Sequence, residues 1–216
     1  MVQYIHFRDP NSEQMKELLG SLEKCPGTCF FFDLSNSTGI KFSSPVTGWA
    51  AKLNNTFNFI SFLNDFPDNI VKGIGDEIML FIPDGELKRK ASYSTYFALL
   101  EEIYATLYNI RHYPGDDLFL NCKVAIHYCT EVYNISFFKN ANDYYGTDID
   151  LTARLMLKCS DNRIVLSEAF YQKVLGDLQE KNLPADTGCL SLVSRKGTEM
   201  FKGIPVETEY RTIDVK

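Results

Sequence analysis

The chain has 216 residues, of which 45% are hydrophobic and 23% are charged, and its formal net charge is -6 at pH 7. This length and composition predict a single globular domain over 1–216 with a sizeable core. The acidic balance gives no general electrostatic reason to bind nucleic acid or an anionic membrane. We therefore expect any phosphate ligand to be held locally, by metal ions or a few cations.

The N-terminal residues lack the basic-then-apolar profile of a signal peptide, and no window approaches the roughly 18 apolar residues of a membrane span. These features predict a cytoplasmic protein without a membrane partner. The six cysteines include no CxxC pair, and the three histidines are scattered along the chain. This pattern favours reduced, mostly buried thiols over a zinc site.

The first half of the chain alternates between helical and strand patterns. Residues 12–24 have a helical pattern, and three consecutive phenylalanines predict a strand covered on both faces at 28–34. A second helix lies within 45–65, where apolar residues recur at helical spacing. Two short apolar runs flank Gly75-Asp76 and predict a β-hairpin, which a long helix at 90–111 follows.

The second half continues this alternation. It predicts a hairpin from strands at 118–129 and 130–138, a helix at 148–160, a strand at 163–167, a helix at 168–179 capped by Ser167, and strands at 189–194, 198–204 and 208–215. The element order β-α-β-β-α-β, with further strands and helices appended, is that of a ferredoxin-like or palm fold. The sequence therefore predicts the α+β class.

Two aspartates stand out against this topology. Asp33 ends the phenylalanine-rich strand, and Asp76 lies at the turn of the hairpin expected to pair beside it. Two converging carboxylates repel each other unless they are protonated or bridged by cations, and such oxygen ligands suit Mg²⁺ or Mn²⁺. Each aspartate taken alone is also explained as an ordinary turn residue.

Six stretches occur in a distinctive order within residues 28–213: "FFFDLSNST", "VKGIGDEIMLFI", "KVAIHYC", "YYGTDIDLTARLM", "RIVLSEAFYQKV" and "FKGIPVETEYRTI". This ordered set resembles the motifs of the class III nucleotidyl cyclases, the catalytic domains of adenylate and guanylate cyclases. The resemblance implies the class III cyclase fold for the chain and leaves 1–27 as an N-terminal extension.

The resemblance also implies an activity and a set of site residues. It implies a homodimer with two interfacial sites that convert a nucleoside triphosphate to a 3′,5′-cyclic monophosphate and pyrophosphate, using two divalent cations, Mn²⁺ or Mg²⁺. The implied metal ligands are Asp33, the backbone carbonyl of Leu34, and Asp76. The implied substrate-binding residues outside the base pocket are Phe32, Ser35, Asn36, Ser37, Thr38 and Lys202.

Arg154 matches the arginine of the family's helix motif, where a guanidinium braces the α-phosphoryl group in the transition state. Asp150 stands where the family usually has an asparagine that orients the ribose. An aspartate accepts from a ribose hydroxyl but cannot donate a hydrogen bond, and it adds negative charge near the phosphates. This departure leaves an inactive nucleotide-binding regulatory domain open as an alternative.

The base-reading positions of the family fall at Lys72 and Asp143. Lysine only donates hydrogen bonds and an ionised aspartate only accepts them, so the pair suits a ring-nitrogen acceptor beside an exocyclic amine. Adenine and cytosine both present that edge. The first motif, from Asp33 to Lys41, is similar to that of the stand-alone pyrimidine cyclases of bacterial anti-phage systems. It favours CTP or UTP as substrate and a separate effector for the product, with an adenylate cyclase as the alternative.

Overall fold

The fold is built on a seven-stranded mixed sheet. The computed structural model describes residues 3–5, 12–62, 67–90, 92–114, 118–138 and 142–216. Its strands are β1 (Gln3–Tyr4), β2 (Gly27–Leu34), β3 (Ile70–Ile74), β4 (Glu77–Pro83), β5 (Cys122–Cys129), β6 (Ile135–Ser136), β7 (Arg163–Ser167), β8 (Gly197–Glu199) and β9 (Thr208–Asp214). The large sheet has the order β3-β4-β2-β5-β7-β9-β8, and β1 pairs separately with β6. Within the large sheet β5 and β7 are parallel, and the other neighbours are antiparallel.

Seven α-helices connect these strands in the described parts of the chain. They are α1 (Glu13–Gly20), α2 (Ser37–Ser43), α3 (Val46–Phe62), α4 (Asp84–Leu87), α5 (Tyr96–Arg111), α6 (Thr147–Leu155) and α7 (Glu168–Glu180). Ser167 caps α7 as predicted, because its hydroxyl accepts from the backbone N–H of Phe170 at 3.1 Å. No helix among these described residues is long and apolar enough to cross a membrane.

The two faces of the sheet carry separate cores. Side chains of one face, including Phe30 and Phe32 of β2, pack with α3, α5 and α7. The neighbouring β2 residues Cys29 and Phe31 point to the opposite face and pack with residues of α6 and the turn after it. Because successive side chains of a strand alternate between faces, Asp33 shares the α6 side with Phe31. This alternation separates the carboxylate from the main core.

The predicted β-α-β-β-α-β order is confirmed as β2, α3, β3, β4, α5 and β5. The hairpin turn lies at Gly75-Asp76 between β3 and β4, and Gly75 adopts a φ of 69° that favours glycine there. The predicted reduced thiols are also found, since all six cysteines are free and four are buried. The α+β class is therefore correct.

Three predicted strands are wrong or shortened. Residues 130–138 do not form a hairpin with β5, because β2 and β7 already occupy both of its edges, and β6 pairs in parallel with β1 instead. Residues 189–194 begin within a 3₁₀ helix, Gly188–Leu192, whose Cys189 N–H donates to Glu101 Oε1 at 2.7 Å. Of residues 198–204, the first two belong to β8, and Phe201 then turns into the core.

Candidate active site

A row of charged side chains crosses the centre of the sheet. Asp33 on β2 stands opposite Glu77 on β4 and opposite Lys123 on β5. Residues that are directly opposite each other in a sheet point to the same face, so the three side chains lie together. The Lys123 ammonium nitrogen lies 2.7 Å from Asp33 Oδ2. We call Asp33, Glu77 and Lys123 the charged row.

Asp76 lies at the end of this row. The Leu34 N–H donates to the Asp76 carbonyl oxygen at 3.2 Å, which places the turn against the end of β2. The Ser37 hydroxyl donates to Asp76 Oδ2 and fixes its carboxylate. The two aspartates predicted as metal ligands are therefore held on adjoining backbone segments.

The pKa of Glu77 reflects the like charges gathered at this site. Its pKa is raised to about 7 by burial and by the negative charge of Asp33, an effect that Lys123 opposes and Asp76 reinforces. Glu77 thus resists ionisation beside two aspartates. A cation bound here would reduce the repulsion between the carboxylates. The oxygen donors of Asp33, Asp76 and Glu77 fit Mg²⁺ or Mn²⁺, so the residues present are compatible with the predicted divalent ions.

The polar stretch after β2 is more ordered than a loop. Ser35 is buried and its N–H donates to Asn121 O at 2.8 Å. Asn36 adopts a left-handed φ of 55°, and Ser37 and Thr38 then form the first turn of α2. Helix N-termini present backbone N–H groups that favour anions, so the predicted phosphate-facing role fits this geometry.

Phe32 does not contribute its side chain to this edge. It is fully buried in the core on the face opposite Asp33. The predicted substrate contact therefore cannot involve its ring and is limited to its backbone.

The two residues predicted to read the base lie together. The Lys72 ammonium nitrogen is 2.9 Å from both carboxylate oxygens of Asp143. The Asp143 side chain is 11% exposed and that of Lys72 is 37% exposed, so the pair borders solvent at the rim of the sheet. Because Asp143 Oδ1 also accepts from the Tyr144 N–H at 2.8 Å, its position is fixed by the backbone.

The two tyrosines that follow have different environments. Tyr144 is buried and stacks on Phe81 with 4.2 Å between ring centroids, so it belongs to the core. The ring of Tyr145 lies 5.3 Å from the Lys72 ammonium nitrogen and packs edge-on against Phe137. Of the two, Tyr145 is the one that borders the Lys72–Asp143 pair.

The remaining predicted residues line a separate cavity beside α6. Asp150, Arg154 and Lys202 are exposed and surround an open cavity of about 470 Å³. The rest of its described lining is Thr147, Asp148, Leu151, Gly203, Ile204, Pro205 and Val206. One chain therefore carries the predicted metal ligands on β2 and the hairpin, and the predicted phosphate-binding cations on α6 and the segment before β9.

Two members of the charged row, Lys123 and Glu77, were not predicted from the sequence. Each had a signal in the sequence that could have indicated it. Lys123 alternates with inward apolar residues on β5, and Glu77 directly follows Asp76. The cross-strand pairing that brings them to Asp33 is set by register, which the sequence did not specify.

The architecture is similar to solved cyclase domains. An adenylyl cyclase, CyaB from P. aeruginosa, superposes with a TM-score of 0.66 at 19% identity, over 89% of this chain and 95% of that one. The guanylyl cyclase Cya2 gives a TM-score of 0.66 at 16% identity, over 89% and 93%. The chain has the class III nucleotidyl cyclase fold.

A third cyclase structure holds a nucleotide. The guanylate cyclase domain of RhGC from Catenaria anguillulae, solved in complex with GTP, gives a TM-score of 0.60 at 13% identity, over 88% of this chain and 97% of that one. No protein-family model matches the sequence, and no curated protein matches it. The similarity to the cyclase fold is therefore structural.

Proposed function

We propose that the protein is a nucleotidyl cyclase that converts a nucleoside triphosphate to a 3′,5′-cyclic monophosphate and pyrophosphate. One observation carries the proposal: on a cyclase fold, Asp33 and Asp76 are held side by side at the end of β2 and the β3–β4 turn. In the reaction the ribose 3′-oxygen forms a bond to the α-phosphorus, the bond to the β-phosphate oxygen breaks, and the 3′-hydroxyl proton is lost.

Asp33, Asp76 and the Leu34 carbonyl would hold two divalent cations. Bound there, such ions would lower the pKa of the 3′-hydroxyl and would neutralise charge on the triphosphate. The start of α2 offers N–H groups to the phosphates. Arg154 would brace the α-phosphoryl oxygens, Asp150 would accept from the ribose, and Lys202 would contact the outer phosphates.

A homodimer completes the site in this proposal. Arg154, Asp150 and Lys202 are exposed around their own cavity, whereas Asp33 and Asp76 lie at the hairpin end of β2. A second copy packed head-to-tail would bring the cations of one chain to the metal ligands of the other. The exposure of the cavity residues supports this arrangement, because the Arg154 guanidinium and the Lys202 ammonium have no ion-pair partner in the described part of the chain.

The base proposed for the substrate is cytosine, within the pyrimidine class. The Lys72 ammonium donates and the Asp143 carboxylate accepts, and these roles match the N3 and N4 amine of cytosine. The ring of Tyr145 beside Lys72 narrows the space and supports a pyrimidine over a purine. We further propose that the product is a second messenger in anti-phage defence, read by a separate effector protein.

An adenylate cyclase is the second candidate, because adenine presents the same hydrogen-bonding edge to Lys72 and Asp143.

The test is incubation of purified protein with each of the four NTPs and Mn²⁺, followed by chromatography and mass analysis. Cyclic CMP as the dominant product is expected. Dominant cyclic AMP would refute the pyrimidine assignment, and the absence of any cyclic product would refute the enzyme and favour a nucleotide-binding regulatory domain.

A further inference from the structure

A second group of potential metal ligands lies under α6, apart from the charged row. His127 and Cys129 are two residues apart on β5, so their side chains share a face. Asp148, in the first turn of α6, covers them. Their ligand atoms all lie within 4.8 Å of one another. We call His127, Cys129 and Asp148 the His-Cys-Asp cluster.

The imidazole of His127 is arranged as in metal-bound histidines. Its Nδ1 lies 2.8 Å from Ser167 Oγ, which is itself fixed as the N-cap of α7. Metal-bound histidines usually donate their second ring N–H to such an oxygen, which leaves the other nitrogen free to coordinate. In His127 that other nitrogen, Nε2, is buried and has no hydrogen-bond partner among the described residues.

The distance from Nε2 to Asp148 favours a bridging ion. The His127 Nε2 and Asp148 Oδ1 atoms are 3.5 Å apart, and the His127 side chain is 7% exposed. This separation exceeds the usual hydrogen-bond range of about 2.7–3.2 Å. Two ligands that each lie about 2.0 Å from a tetrahedral zinc ion are separated by about 3.3 Å. The observed distance therefore suits two ligands of one ion.

Asp148 directs one oxygen, Oδ1, towards His127 and holds the other on the backbone. Its Oδ2 accepts from the N–H groups of Thr130 at 2.6 Å and Glu131 at 2.8 Å. The fixed carboxylate thus lies beside the buried imidazole and the buried thiol, with the ligand atoms of all three within reach of one cation.

Another thiol lies on the same face of the sheet. Cys29 on β2 stands directly opposite His127 and diagonal to Cys129. Both thiols are buried on the α6 face of the sheet. Two thiols, one imidazole and one carboxylate form the kind of mixed set that suits tetrahedral zinc.

We propose that His127, Cys129 and Asp148 bind one Zn²⁺ ion, with Cys29 as the fourth ligand. His127 is four residues from Lys123 on β5, about 13 Å along the strand, so this ion is distinct from those proposed for catalysis. It ties β5 to the first turn of α6, the helix that carries Asp150 and Arg154. A site with four protein ligands is structural, and this proposal does not depend on the proposed function.

The test is a competitive titration of the full chain, freed of metal, with ZnCl₂ and a chromophoric chelator, together with the absorption spectrum of the Co²⁺-loaded protein. One zinc ion per chain and a thiolate-to-cobalt charge-transfer band are expected. Cys129→Ser and Asp148→Asn should each weaken zinc binding by about tenfold or more. The matched Cys25→Ser variant, which changes a half-buried thiol outside the cluster, should bind as the unmodified chain does.

The doubly substituted Asp33→Ala/Asp76→Ala chain separates this ion from the catalytic metals, and it should keep the zinc. Loss of stoichiometric zinc in that variant, or equal affinity in the Cys129→Ser and Cys25→Ser variants, would overturn the proposal. If the cluster variants fail to fold, the spectrum of the unmodified chain decides. A Co²⁺ spectrum without thiolate character would then refute the site.

Discussion

Lys123 places its ammonium nitrogen 2.7 Å from Asp33 Oδ2, on the carboxylate proposed to bind metal. An ammonium group and a divalent cation compete for the same oxygen. The ion pair is partly buried, with side-chain exposures of 28% for Lys123 and 21% for Asp33. We therefore expect the ion pair to stabilise the metal-free protein and to oppose metal binding at Asp33.

Replacing Lys123 with glutamine should separate these two effects. We expect Lys123→Gln to lower the free energy of unfolding by about 1 kcal/mol without metal and to increase the stabilisation that Mn²⁺ provides. Thermal unfolding with and without Mn²⁺ measures both. Lys158→Gln, which breaks a similarly exposed pair with Glu199, is the control. An equal response to Mn²⁺ in both variants would show that Lys123 does not compete with metal.

Loss of either proposed metal ligand should stop the reaction. Asp33→Ala and Asp76→Ala are each expected to reduce turnover by about a hundredfold or more, because charge on the triphosphate is no longer neutralised. Sedimentation should show an unchanged oligomeric state. Asp186→Asn, in an exposed segment, is the control. Near-normal turnover in either alanine variant would contradict the two-metal assignment.

The Lys72–Asp143 pair should control the choice of base. Lys72→Met leaves the Asp143 carboxylate without its 2.9 Å partner, so kcat/KM for CTP should fall by about 10- to 100-fold. In the double variant Lys72→Met/Asp143→Leu no unpaired charge remains, and discrimination between CTP and UTP should largely disappear. Initial rates with both nucleotides measure this. An unchanged CTP-to-UTP ratio in the double variant would remove the pair from base recognition.

Phe32 should affect stability and not substrate affinity. Its ring is fully buried on the face opposite Asp33, so Phe32→Ala should destabilise the fold by about 3–5 kcal/mol. The milder Phe32→Leu variant should unfold at a lower temperature with an unchanged KM. Ser37→Ala, which frees the Asp76 carboxylate, should lower turnover with a smaller effect on stability. A raised KM in Phe32→Leu would indicate that the ring, although buried, shapes the site.

Glu77 should make the metal-free protein less stable at neutral pH than at mildly acidic pH. Its pKa is about 7 in the folded chain and near 4.5 ordinarily, so the folded state holds the proton more tightly. The stability that this proton provides is complete below about pH 4.5 and is lost as the pH rises through 7. Melting temperatures in a chelator should show this decline, and Glu77→Gln should flatten it. The exposed Glu180→Gln is the control, and equal slopes in all three proteins would refute the assignment.

The sequence predicted the parts of the fold that depend on local pattern. The apolar run of β2, the Gly75-Asp76 hairpin and the helical spacing of α3 and α5 each have a clear periodic signal. The sequence also placed Asp33 and Asp76 together. The hairpin that turns at Asp76 was expected to pair beside the strand that ends at Asp33. The cyclase motifs supplied the other predicted site residues, which local pattern alone does not identify.

Features that depend on register and on the occupancy of strand edges were not predicted. The Lys123 contact with Asp33 requires the β2–β5 pairing, and residues 130–138 were misassigned because β7 takes the second edge of β5. The three ligands of the His-Cys-Asp cluster are scattered in the sequence for the same reason. Strand pairing and the docking of α6 bring them together.

The alternation of side chains along β2 limits the insertions and deletions that this strand can tolerate. One strand supplies Phe30 and Phe32 to the helix-covered core and Asp33 to the charged row on the other face. Inserting or deleting one residue before Asp33 would turn the carboxylate into the core and an aromatic ring onto the face of the charged row. A change of length in this strand is therefore expected to disrupt both the core and the charged row.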